Sequence, residues 1–172
     1  MHRLGALLLI GMGALLLGCT TSEVLIPHAV ELTAPAQSLP EEELLDVGIV
    51  LFDAGVPEGR IEKSEQEQLL EQGIYAHIRR AEAVYMAVQL RDALQRSGQW
   101  GMVLVTPEQS TAADLSVNGR IVQSDGDTVR VEVEAVDAAG RTWLDEEYDY
   151  RTPAAVYDTR RYAGADPYQD LF

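Results

Sequence analysis

The sequence predicts an α+β fold: a mostly antiparallel sheet of four to five strands packed by one long helix. Three patterns predict it. Residues 47–52 form a short, nearly continuous apolar run, residues from about 65 to 97 repeat their apolar positions with helical spacing, and residues 114–150 alternate apolar and polar side chains. The element order read from these patterns is strand, helix, strand, strand, strand, strand.

The run Val47-Gly48-Ile49-Val50-Leu51-Phe52 ends at Asp53 and suits a buried central strand. Gly55, Pro57 and Gly59 mark a loop after it. The helical stretch begins near Glu65, breaks near Gly73 and resumes at Ile74, and Gly98 stands where a C-cap glycine belongs, just after Arg96. Ala83, Met86, Ala87, Leu90, Ala93 and Leu94 make one apolar stripe. Ile74, Ile78, Ala81, Tyr85 and Val88 make a second, nearly opposite. One sheet covers only one stripe, so the second is expected to meet the C-terminal segment, the preceding helix or another copy of the chain.

Residues 100–106, closed by Pro107, read as the next strand. Leu115, Val117, Gly119 and Ile121 then alternate with Ser116, Asn118 and Arg120, and Val129, Val131, Val133 and Ala135 with Arg130, Glu132 and Glu134. Both are half-buried antiparallel strands. Pairing Ile121 with Val129 aligns their apolar faces and calls for an odd-length loop around Ser124-Asp125-Gly126. Asp137-Ala138-Ala139-Gly140-Arg141 is a second tight turn, and a last strand runs from Thr142 to about Tyr150.

Ahead of the domain, Arg3 precedes an apolar stretch from Leu4 to Leu17, the layout of a secretory signal. It is too short to span a bilayer, which takes about 20 apolar residues. The stretch Leu16-Leu17-Gly18-Cys19 resembles the bacterial lipobox. That resemblance implies cleavage before Cys19, a diacylglycerol on its thiol and an acyl chain on the new amino terminus, with no other cofactor. Cys19 is the chain's one cysteine, and a free thiol in an oxidising compartment is a liability that lipidation removes. Thr20 follows, where the inner-membrane retention signal would have aspartate. The resemblance therefore implies the periplasmic leaflet of the outer membrane.

The chain reads as residues 1–18 signal, 19–46 lipidated terminus and flexible tether, and 47–172 a single periplasmic domain, aromatic-rich from about 151. Pro27, Pro35 and Pro40 interrupt the tether, which could reach about 90 Å at roughly 3.3 Å per residue. The formal net charge is −15, and loss of Arg3 with the leader makes it one unit more negative. Such a surface repels phosphate backbones, so nucleic acid is an improbable partner.

From residue 47 to 150 the chain resembles the small α/β domain of the amino-terminal part of the translocation protein TolB, of the curli secretion lipoprotein and of lipoprotein activators of penicillin-binding proteins. The matching features are the opening VGIVLF strand, the helix ending in SG, the strand ending in TP, the NGRIV strand and the DAAGR hairpin. None of these is a catalytic signature.

No catalytic constellation emerges. After the leader only His28 and His77 remain as histidines, and no set of zinc ligands has usable spacing. Asp125-Gly126-Asp127 superficially suggests a calcium loop but lacks the remaining oxygen ligands, so a hairpin turn is the expectation. Tyr148, Tyr150, Tyr157, Tyr162, Tyr168 and Phe172 crowd the C-terminal segment around Arg160-Arg161, a composition suited to interfaces and to stacking on glycans.

The expected function is that of a non-enzymatic accessory or scaffold lipoprotein, facing the periplasm, in an envelope assembly: a secretion or export machine, or a regulator of wall synthesis. The membrane anchor is Cys19. The contact residues are Ile74, Ile78, Tyr85, Tyr157, Arg160, Arg161, Tyr162 and Tyr168, meeting an envelope protein or a second copy. The rival reading is an envelope glycan or peptidoglycan hydrolase working through Asp145, Glu146 and Glu147.

Overall fold

A computed structural model of the chain describes residues 39–152 and Leu171. After a 3-10 turn at Glu41–Glu43, the elements are β1 (Val47–Val50), α1 (Lys63–Glu71), α2 (Ala76–Ser97), β2 (Val103–Thr106), β3 (Leu115–Ser124), β4 (Thr128–Asp137) and β5 (Thr142–Arg151). The α+β class is as expected. The helical stretch, however, forms two helices, and the element order has one helix more than the sequence reading.

The corner between the helices explains the break. Gly73 takes φ 74°, the left-handed region that glycine enters without cost. Its N–H then bonds the Leu70 carbonyl at 2.9 Å, and that of Ile74 reaches back to Leu69 at 2.8 Å. These two bonds close α1 with a glycine C-cap. Gly98, at φ 65°, caps α2 as its position foretold.

The five strands lie in the order β2-β1-β3-β4-β5, and the sheet is mixed rather than mostly antiparallel. β1 is parallel to both neighbours, with Val47 opposite Val103 on one side and Leu115 on the other. The reason is the connection. α2 spans about 33 Å at 1.5 Å per residue and returns the chain to the end where β1 began, so β2 starts there too. Residues 107–114 make the same return before β3, and Ala113 lies against Gly48, where an added Cβ would sit 3.1 Å from its own. β1 is consequently covered on both faces, which its unbroken apolar run already signalled.

Asp46 ties the three parallel strand starts together. Its carboxylate accepts the Met102 N–H at 2.6 Å, its N–H donates to Asp114 Oδ2 at 2.9 Å, and its carbonyl accepts the N–H groups of Asp114 and Leu115.

β3, β4 and β5 form an antiparallel meander. Leu115 to Ile121 pair in one register, with Ile121 opposite Val131 instead of Val129. A bulge at Val122 then shifts the register and sets Ser124 opposite Val129. The turn beyond holds only Gly126 and Asp127 between Asp125 and Thr128. The extra residue expected in the loop resides in the bulge, which restores the parity of the buried faces.

The core lies between α2 and one sheet face. Ile49, Met86, Val129 and Val131 are almost fully buried, together with Val47, Phe52, Ala83, Ala87, Val117 and Ile121. Leu90, Leu94, Trp100 and Leu171 pack at its margin. The stripe containing Met86 and Ala87 is thus the one that meets the sheet. Its N-terminal end carries a buried arginine, Arg79, whose Nη1 donates to the Ile121 carbonyl at 3.4 Å.

Candidate functional site

A concavity lined by charged side chains lies on the sheet face turned away from α2. It is shallow, about 530 Å³, and is lined by Asp53, Asn118, Gly119, Arg120, Glu132, Val133, Glu134, Asp145, Glu146 and Glu147.

Strand pairing builds it row by row. Asn118, Glu134 and Asp145 stand side by side across β3, β4 and β5. Arg120, Glu132 and Glu147 form the next row, and Gln123, Arg130 and Asp149 the one after the bulge. Two pairs of carboxylates therefore face each other directly, Glu134 with Asp145 and Glu132 with Glu147. Like charges so placed weaken a sheet.

Two arginines moderate this field. Arg130 Nε lies 2.7 Å from Asp149 and 3.5 Å from Glu147, and the Asp149 hydrogen bond raises the arginine's pKa further above its ordinary value. Arg120 Nε lies 3.5 Å from Asp53. Asp53 is itself placed by the sheet, since its N–H bonds the Gly119 carbonyl and its own carbonyl accepts the Ile121 N–H, each at 2.8 Å.

The hydrolase trio is divided by the strand pleat. Asp145 and Glu147 point to the open face, while Glu146 between them belongs to the face shared with Leu144 and Tyr148. Side chains that alternate along one strand do not converge on one bond. Among the described residues no group of three or more His, Cys, Asp or Glu is arranged to hold a metal ion.

Asp125 is a turn residue. Its Oδ1 accepts the N–H groups of Thr128 at 2.8 Å and Asp127 at 3.0 Å, while Gln123 donates to Oδ2 at 2.7 Å. Asp127 pairs with Arg151 at 3.0 Å. These bonds fit the hairpin expectation.

The second apolar stripe of α2 is distributed unevenly. Ile78 and Ala81 are exposed, and Ile74, Tyr85 and Val88 are half-buried. His77 is exposed, its ring edge-on to Tyr75 with centroids 6.4 Å apart. Cys19, Tyr157, Arg160, Arg161, Tyr162 and Tyr168 lie outside the described residues.

Sequence reading missed Arg79 and Glu82. Both sit on the inward side of α2, and Ser124 Oγ donates to Glu82 Oε1 at 2.9 Å. The signal was faint: Arg79 precedes Ala83 by one helical turn, and so continues the apolar stripe by position but not by residue type.

Among the described residues, no helix is long and apolar enough to cross a membrane. No protein-family model matches the chain and no curated protein matches it.

Proposed function

We propose that this chain is a non-enzymatic lipoprotein, anchored through Cys19 in the periplasmic leaflet of the outer membrane, whose α+β domain serves as an accessory or scaffold subunit of an envelope assembly. The observation that carries the reading is the Leu16-Leu17-Gly18-Cys19 sequence directly behind an apolar leader. Two or more acyl chains give stable anchoring, each buried methylene contributing roughly 0.8 kcal/mol.

The geometry of the domain supports docking over catalysis. Its carboxylates line a broad, solvent-open sheet face and face each other in rows, whereas an acid-base pair needs two groups in distinct environments flanking one bond. An open face on which carboxylates outnumber arginines attracts a cationic partner and speeds its encounter.

Mass spectrometry of the protein extracted from its native membrane tests the anchor. The expected mass is residues 19–172 plus a diacylglycerol and an acyl chain, and Cys19→Ser is expected to leave the leader attached. A bare thiol on an uncleaved chain would overturn the proposal. The hydrolase alternative is tested by Asp145→Asn with Glu147→Gln: loss of a glycan- or peptidoglycan-cleaving activity in a folded variant would replace the docking reading.

A further inference from the structure

We propose that the corner formed by α1 and the first turns of α2 is the docking site for a cationic amphipathic segment of another envelope protein. This rests on the docking reading above and names the partner's chemistry.

α1 is nine residues long and none of its residues is buried. A helix of that length is marginal in water unless an apolar face packs against something. The apolar residues of α1 are Leu69, half-buried, and Leu70, exposed among the described residues. Leu70 is 44% exposed, Tyr75 50% and Ile78 46%, and these three flank Gly73 along the chain. The two bonds of the glycine cap hold Ile74 beside Leu69 and fix the angle at which the chain enters α2.

The charges around this patch select the occupant. Glu62, Glu65, Glu67 and Glu71 are all exposed. Glu65 precedes Leu69 by four residues and Glu67 precedes Leu70 by three, so each leucine has a carboxylate one turn before it on the same side. Lys63, the basic residue of α1, already faces Glu67 at 3.8 Å.

Apolar anchors edged by carboxylates fit a segment that presents leucine-like residues between lysines or arginines. A second copy is disfavoured, because a chain of net charge −15 repels itself.

The buried core residues lie between Val47 and Ala135, with Leu144 and Leu171 packed against them, so the test uses the chain from Thr20 onward. The probe is a fluorescein-labelled helical peptide with leucines at i, i+3, i+4 and i+7 and lysines elsewhere, and the control carries glutamates for the lysines. The expected result is saturable binding of the lysine peptide alone, weakened by added salt and reduced roughly tenfold or more by Leu70→Glu and by Ile78→Glu. Glu41→Gln with Glu43→Gln, in the exposed 3-10 turn before β1, is expected to leave it unchanged.

Absence of binding, equal binding of both peptides, or loss of binding in the 3-10-turn variant instead would overturn the proposal. So would a fall in light-scattering mass on Leu70→Glu, which assigns the corner to a second copy. Displacement of the probe by a peptide of residues 153–172 assigns it to the chain's own C-terminal segment and overturns it equally. None of these results depends on lipidation of Cys19, so the two proposals fail separately.

Discussion

Gly119 sits in an apolar-facing position of β3 without a side chain because the Phe52 ring fills the space where its Cβ would be. Phe52 is itself 5% exposed, so it has little room to yield. Gly119→Ala is therefore expected to cost about 1–3 kcal/mol, the usual range for overpacking, seen as a lowered urea midpoint. Phe52→Leu in the same background is expected to recover part of it. An unchanged midpoint in Gly119→Ala would show that the ring moves aside freely. The alternation Leu115, Val117, Gly119, Ile121 placed this glycine on the inner face, yet a sequence pattern cannot say which distant ring fills the gap.

β4 is bracketed by two aspartates that close its turns. Asp137 accepts the Arg141 N–H at 2.9 Å, the Ala139 N–H at 3.0 Å and the Trp143 indole N–H at 2.9 Å. The Arg141 N–H first, and then the indole, hold its pKa at about 2, below the ordinary 3.8. The Thr128 N–H, followed by the Gln123 amide, does the same for Asp125. Because the folded values are depressed, their contribution to stability is complete above the unfolded value of 3.8 and is lost as pH falls through about 2. Denaturant midpoints measured between pH 5 and pH 2 are expected to fall, and to fall less steeply in Asp125→Asn and Asp137→Asn.

The strands between these turns carry an opposite effect. Glu134→Lys converts the Glu134–Asp145 opposition into an ion pair and is expected to stabilise the domain by about 0.5 kcal/mol. A lower melting temperature in that variant would mean that the carboxylate rows are not a source of strain. Alternation in the sequence showed which residues share a face. It could not show which stand opposite, because the bulge at Val122 moves the register by one.

For the whole molecule, a net charge of −15 is a field that opposes compaction. Raising sodium chloride well above physiological strength screens it, and an increase in stability on the order of 1 kcal/mol, or roughly 2–4 °C in melting temperature, is expected. A melting temperature that falls with salt would place the local ion pairs above the global repulsion. The charge and the α+β class were legible in residue order, because each depends on local composition or on periodicity along one stretch. So were Gly98 as a helix cap and the break at Gly73. The parallel placement of β1, the rows across β3, β4 and β5, the division of Asp145 and Glu147 from Glu146 in what they can jointly face, and the buried place of Arg79 came from the folded chain. These are relations between segments brought together by packing: α2 returns the chain to its starting end, and a one-residue bulge resets the pairing. No pattern within a single segment carries that information.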